Sequence, residues 1–126
     1  MSKCQTPPMP TERIEQITLF QWAALNVGKM PELVLLHHIP NGGHRSKATA
    51  GRLRAEGVKS GVPDLCLPVS RGGFHGLYIE MKRERGNMPT AHQKEWIAAL
   101  ERQGYKAVVC HGWEAAAQTI IDYLRR

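Results

Sequence analysis

Two carboxylates and an amine in this chain are spaced to do chemistry together: Asp64 in Gly61-Val62-Pro63-Asp64-Leu65, and Glu80 with Lys82 in Ile79-Glu80-Met81-Lys82. Fifteen residues separate the two acids, and the segment between them reads as a hairpin. Leu65 to Val69 is a short apolar run, Ser70-Arg71-Gly72-Gly73 is turn material, and Gly76 to Lys82 alternates apolar with polar. With the turn centred on Gly72-Gly73, antiparallel pairing returns residue 80 or 81 to a position across from Asp64. Strand side chains alternate faces, so Leu77, Ile79 and Met81 are expected on the core side, with Tyr78, Glu80 and Lys82 on the other.

Carboxylates held together repel, and one is driven toward its protonated form unless a cation intervenes. Hard oxygen ligands suit Mg²⁺ or Mn²⁺, which keep several waters and accept one or two carboxylates plus phosphate oxygens. Such an ion polarises a phosphoryl oxygen and lowers the pKa of water, while a neighbouring lysine orients that water or offsets developing charge. The reading is a metal-dependent phosphodiesterase with Lys82 as catalytic amine. An amphipathic edge strand ending in Glu-x-Lys is common in itself, and as a solvated pair contributes only ~0 to 1 kcal/mol. What adds specificity is the combination of Gly-Val-Pro-Asp, hairpin, Glu-x-Lys and a capped helix after it.

The elements that must hold these residues can be read along the chain. Its 126 residues suit one domain. Residues 1–10, rich in proline and polar groups, read as a flexible lead, and 11–126 as the single domain. Thr11 can cap a helix from Glu12 to about Val27, with Ile14, Ile17, Phe20, Gln21 and Ala24 tracing one face and Glu15, Thr18, Leu19 and Trp22 an adjacent one. By spacing alone, Glu15 is an acid suited to a helix N-terminus. Glu32 to Ile39 reads as a buried strand closed by the turn Pro40-Asn41-Gly42-Gly43. Ser46 to Glu56 reads as a helix ending at Gly57, with Arg45, Lys47, Arg52 and Arg54 as a solvated or phosphate-facing charge run. Thr90-Ala91-His92-Gln93 fits a capping box, and Gln93, Trp96, Ile97 and Leu100 share a face of the helix that follows. Gln93 therefore has two candidate roles, capping and positioning a water or phosphate at the site. Tyr105 to Cys110 is the last strand and Trp113 to Leu124 the closing helix.

Lys and Arg total 17 against 11 acidic residues, a net charge of +6 and a pI near 9.6, which suits a polyanionic partner. Three cysteines, Cys4, Cys66 and Cys110, form no Cys-x-x-Cys pair, so neither a disulfide framework nor a zinc site is expected, and a reducing, cytoplasmic setting is the simplest. No stretch has the length of a membrane span or the pattern of a signal peptide. His37 and His38, adjacent on a strand, point to opposite faces and do not chelate together. His44, His75 and His92 sit in turns or at a helix start, suited to solvent or phosphate. Trp22, Trp96 and Trp113 read as core anchors rather than base-stacking platforms.

The order helix, strand, helix, hairpin, helix, strand, helix with Asp64 and Glu80-x-Lys82 resembles the PD-(D/E)XK nuclease superfamily. Within it the chain is similar to a standalone VRR-NUC domain, the virus-type replication-repair nuclease module. The resemblance covers Glu12 to Leu124 and rests on Glu15-Gln16, Pro40-Asn41-Gly42, Gly61 to Leu65, Ile79 to Lys82 and Thr90-x-x-Gln93. It implies an α/β, restriction-endonuclease-like core, a mixed central sheet flanked by helices in the order α-β-α-β-β-α-β-α. It also implies Glu15, Asp64, Glu80 and the Met81 backbone carbonyl at a Mg²⁺ or Mn²⁺ site, with Lys82 catalytic and Gln93 in support. The implied reaction is hydrolysis of DNA to 5′-phosphate and 3′-hydroxyl ends, by a homodimer acting on branched DNA such as four-way junctions. A bacterial or phage-infected cell is the setting that fits standalone members. Arg52, Lys59, Arg83, Arg85 and Lys94 are candidate phosphate contacts that would position DNA without reading bases. The rival functions are a non-catalytic DNA-binding module of the same fold, an exonuclease, and a sequence-specific endonuclease. Clustered acids that repel DNA argue against the first.

Overall fold

The computed structural model describes residues 8–41 and 46–126. The turn glycines Gly42 and Gly43, His44, Arg45, Cys4 and most of the proline-rich lead lie outside the described residues. The element order is α1 (Glu12–Asn26), a 3₁₀ helix (Pro31–Leu35), β1 (His37–His38), α2 (Lys47–Ala55), β2 (Leu65–Leu67), β3 (Leu77–Lys82), α3 (Ala91–Arg102), β4 (Lys106–His111) and α4 (Trp113–Leu124). Sheet order is β1-β2-β3-β4, antiparallel up to β3 and parallel between β3 and β4. The mixed sheet expected from the sequence is present, with α3 as the crossover between its parallel strands.

Helix boundaries follow local chemistry. Thr11 caps α1 by accepting from the Ile14 N–H, and Ser46 caps α2 by accepting from Thr49. At α3 the capping box forms in full, with Thr90 Oγ1 accepting from the Gln93 N–H and Gln93 Oε1 accepting from the Thr90 N–H.

Two sequence expectations are corrected. Glu32 to Ile39 is not one long strand. Pro31 starts a 3₁₀ turn, and the period-three pair Leu33 and Leu36 is buried while Val34 and Leu35 stay exposed. Only His37 and His38 pair with β2, and both are exposed. On α1 the stripe facing the core is Glu15, Leu19 and Ala23, at i, i+4 spacing, whereas Ile14 and Ile17 are 49% and 43% exposed. The stripe is set by α4, whose Ala116, Ala117, Ile120 and Tyr123 present small and large residues against α1 and the sheet.

The hairpin turn is where the glycines placed it. Gly72 and Gly73 have φ of 54° and 85°, and Arg71 and Phe74 exchange backbone hydrogen bonds across them. The strands beyond run in a different register, Leu65↔Ile79 through Leu67↔Leu77. Residues 68–70 on one arm face only 75–76 on the other, so Pro68, which has no N–H to give the ladder, falls in the arm with an extra residue. That offset, continued past Leu65, brings Glu80 rather than Met81 opposite Asp64.

Leu77, Ile79 and Met81 join Leu65, Leu67, Cys110 and the α1 and α4 stripes in the core. Tyr78, Glu80 and Lys82 face the other side, as alternation requires, but that side is not solvated: Glu80 and Lys82 are 3% and 7% exposed. Tyr123, fully buried, donates its hydroxyl to the Val69 carbonyl and so ties α4 to the hairpin arm. Removing only that hydroxyl, Tyr123→Phe, is expected to lower the unfolding free energy by about 1–3 kcal/mol, because a buried carbonyl loses its donor. Urea unfolding checks it, with a lower midpoint at unchanged slope as the expected outcome.

Candidate active site

The end of β3 gathers the chemistry. Asp64, just before β2, accepts a hydrogen bond from the Met81 N–H on Oδ2 at 2.7 Å. Its Oδ1 lies 3.4 Å from Asn41 Nδ2, which donates. Its backbone carbonyl accepts from the Ile39 N–H at 2.7 Å and lies 2.9 Å from His38 Nδ1, so the entry to β1's far end and the acid are locked together. Glu80 accepts on Oε2 from Gln93 Nε2 at 3.0 Å, and Lys82 Nζ stands 3.7 Å from the same oxygen. The capping role expected of Gln93 is present, its Oε1 closing the capping box, and its Nε2 reaches the site by holding Glu80.

The electrostatics follow from burial. The Glu80 carboxyl is pushed up to about 8, first by desolvation and then by the charge of Asp64, with Lys82 opposing. Asp64 is also raised by burial, against the pull of the Met81 N–H. At the buried Glu80 and half-buried Asp64, Lys82 and the His38 ring only partly offset the cost of burial. Among the described residues, Glu80 Oε1 is the one buried side-chain nitrogen or oxygen without a hydrogen-bond partner. An unpaired carboxylate oxygen beside a second carboxylate is what a hard divalent cation would satisfy. Asp64 and Glu80 therefore fit such an ion. Strand geometry adds the Met81 carbonyl, which lies on the same edge as the N–H it gives to Asp64. No three His, Cys, Asp or Glu side chains converge as a metal cluster among the described residues, so the remaining positions would fall to water and phosphate oxygens.

Glu15 does not join this pair. It rides on α1, which covers the opposite face of the sheet, and its Oε2 lies against Gly112, the residue whose N–H donates to the Lys82 carbonyl. Gly112 has φ of 90° and space for no side chain beside that carboxylate, since a Cβ there would sit 3.0 Å from Glu15 Oε2. Only the first turn of α1 overhangs the strand end, and there Glu12 Oε1 comes within 4.0 Å of Lys82 Nζ. Sequence reasoning passed over Glu12 and gave Asn41 no role. Glu12 and Glu15, one turn apart, share the stripe that buries Leu19 and Ala23, so that phase could have flagged Glu12, while Asn41 carried a turn signal and a place in the family resemblance but no site role.

The candidate phosphate contacts divide. Arg52, Lys59, Arg85 and Lys94 are exposed. Arg83 is not free in the same way, because its Nε and Nη2 donate to the carbonyls of Pro10 and Met9. The Arg85 N–H donates to Met9 Sδ, so the last residues of the proline-rich lead are held on the strand that carries Lys82. Trp22 and Trp113 pack on the core as expected, whereas Trp96 does not belong to it and lines a surface cavity instead.

A carboxyl whose folded-state pKa is raised holds extra protons in the folded state, so stability falls as pH rises between its ordinary and its raised value. For Glu80 that window runs from 4.5 to about 8. In metal-free buffer the melting temperature is therefore expected to fall across this window. Glu80→Gln should melt close to wild type near the bottom of it and higher than wild type at its top, as read by pH-resolved thermal melts.

Comparison with known proteins bears on this arrangement. The family model of the VRR-NUC domain matches residues 11–114. A solved structure described as a VRR_NUC domain protein superposes with a TM-score of 0.79 at 32% identity, over 94% of this chain and 91% of that one. No curated protein matches the chain. The mixed sheet, its flanking helices and this match over most of its length agree, and the chain belongs to the VRR-NUC family, with a PD-(D/E)XK-like nuclease core.

Proposed function

We propose that this protein is a Mg²⁺- or Mn²⁺-dependent DNA endonuclease that hydrolyses phosphodiester bonds, selects branched DNA by shape, and works as a homodimer. The observation that carries the reading is the orphaned Glu80 Oε1 beside Asp64 and Lys82. A module that only bound DNA would gain nothing from holding two acids together there, since both repel the phosphates.

The division of labour follows from the contacts. A divalent cation, when bound by Asp64, Glu80 and the Met81 carbonyl, would supply Lewis acidity at a phosphoryl oxygen. Gln93 keeps Oε2 of Glu80 engaged, which leaves Oε1 as the oxygen open to a ligand. The Met81 N–H orients Asp64 in the same manner. Lys82, buried to its amine and flanked by Glu80 and Glu12, is the donor that would orient the attacking water and offset charge at the phosphoryl group. Exposed Arg52, Lys59, Arg85 and Lys94 would hold backbone phosphates without reading sequence.

Support for the homodimer comes from the outer face of α1. Ile14, Ile17 and Leu25, at i, i+3, i+11 spacing, form an exposed apolar line, with Leu25 86% exposed. Two active sites related by a two-fold axis suit two strands near a branch point.

Incubation with matched four-way-junction and linear duplex DNA, in Mg²⁺, Mn²⁺ or chelator, is expected to give metal-dependent nicking that favours the junction. Lys82→Ala should slow it by at least about 10²-fold. Binding without cleavage in either metal would favour the non-catalytic module instead. Light scattering of the eluting protein is expected to give a dimer mass for wild type and a monomer mass for Ile17→Glu. A wild-type monomer at every concentration would remove the dimer from the reading.

A further inference from the structure

Between α2 and α3 lies a cavity of about 340 Å³ that the proposed chemistry does not use. Its size is in the range that holds a small ligand. Leu53, Val58 and Trp96 give it apolar walls, and Arg54 and Lys59 give it charge. None of its lining residues is acidic. Its floor is a built contact. Gly61, with φ of 85°, presses so closely on α3 that a Cβ there would lie 2.9 Å from both the His92 and Trp96 rings. That approach brings Ser60 Oγ to 3.2 Å from His92 Nδ1.

The cavity is tied to the site by chain connectivity. Ser60 is four residues before Asp64, so their Cα atoms are at most about 14 Å apart. His92 is the neighbour of Gln93, which bonds Glu80. A half-buried indole edge, an apolar wall and two cations without a competing acid match a planar apolar ring attached to an anionic backbone, which is a nucleotide with its base unstacked. A paired base in a duplex is already stacked on its neighbours and cannot enter.

Resting on the nuclease reading, we propose that this cavity receives the base of one unpaired nucleotide next to the scissile phosphate, against Trp96, with the strand's phosphate on Arg54 and Lys59. Branch preference then has a local cause, since a branch point offers an unpaired nucleotide that a continuous duplex does not.

The test uses the full-length protein in chelator, so that it reads binding and not cleavage. Fluorescence anisotropy compares a duplex bearing one unpaired thymidine at a strand junction with the same DNA carrying an abasic residue there. Wild type is expected to bind the base-bearing DNA about 5- to 150-fold more tightly, the range for one stacked base. Trp96→Leu, checked for folding by thermal melt, should erase that ratio. Ala50→Phe, which fills the cavity from the α2 side and leaves Trp96 in place, should erase it too. Equal affinity of wild type for the two DNAs, or a ratio that survives in both variants, overturns the proposal. So does thymidine monophosphate competing as well as the base-bearing strand, which would make this a site for free nucleotides. A preserved ratio without any cleavage in Mg²⁺ or Mn²⁺ would sink the nuclease reading and leave the pocket standing. Cleavage without a ratio would do the reverse.

Discussion

A buried carboxylate set beside a half-buried one, with Lys82 as the amine between strand and helix, is the constraint on which this molecule is arranged. Asp64 and Glu80 cannot both ionise cheaply in that place, and burial together with mutual repulsion raises both. Lys82 and, at Asp64, the His38 ring offset only part of that conflict. The fold fixes the acids from outside, Asp64 through the Met81 N–H and Asn41, Glu80 through Gln93. Among the buried side chains of the described residues, only one oxygen of Glu80 is left without a hydrogen-bond partner. A site held this rigidly in an unfavourable charge state is prepared for something that arrives with positive charge.

Much of the remaining architecture serves that fixation. The extra residue beside Pro68 sets the register that places Glu80 across from Asp64. The α3 capping box delivers Gln93 at a defined angle, since a side chain that closes its own helix end has little freedom left. Parallel pairing of β3 with β4 extends to Lys82↔His111, and the Gly112 N–H to Lys82 carbonyl bond continues it by one step. Lys82 therefore sits on a strand braced at both edges rather than on a fraying end. Arg83 and Arg85 add the final brace by holding Met9 and Pro10 against that same strand.

The sequence was informative where one residue type has one physical use. Gly72-Gly73 located the hairpin turn, Thr90 with Gln93 located a helix start, and alternation along Leu77 to Lys82 sorted the strand's two faces. It misled where the answer depends on what packs opposite. The apolar run around Leu33 to Leu36 suits a strand by composition, but Pro31 and a period of three decide for a 3₁₀ turn. On α1, Ile14 and Ile17 form as good an apolar face as Leu19 and Ala23, and only the position of α4 chooses between them. Turning α1 toward α4 buries Glu15 against Gly112, and Glu12, one turn earlier on the same side, comes beside Lys82. Trp96 was read as a core anchor for the same reason, since an indole does not announce whether its neighbour is a core or a cavity.

Electrostatics and shape are separable in this protein, and separating them explains how a small basic domain could be selective. The net charge of +6 attracts any nucleic acid, so affinity from charge alone cannot distinguish a branch from a duplex. The acids at the strand end oppose that attraction locally, and a phosphate near them is tolerable only with a cation present. In the proposed reading, long-range charge would bring DNA to the surface, and a bound cation would decide whether a phosphate can stay at the site. What decides which phosphate must then be geometric, and the features able to supply it are those rigidly joined to the acids: the Gly61 contact with α3, which positions Asp64 and the cavity wall together, and α3 itself, whose first turn holds Glu80 on one side and lines the cavity on the other. One helix end shared by the proposed chemistry and the proposed recognition would couple the two without any moving part.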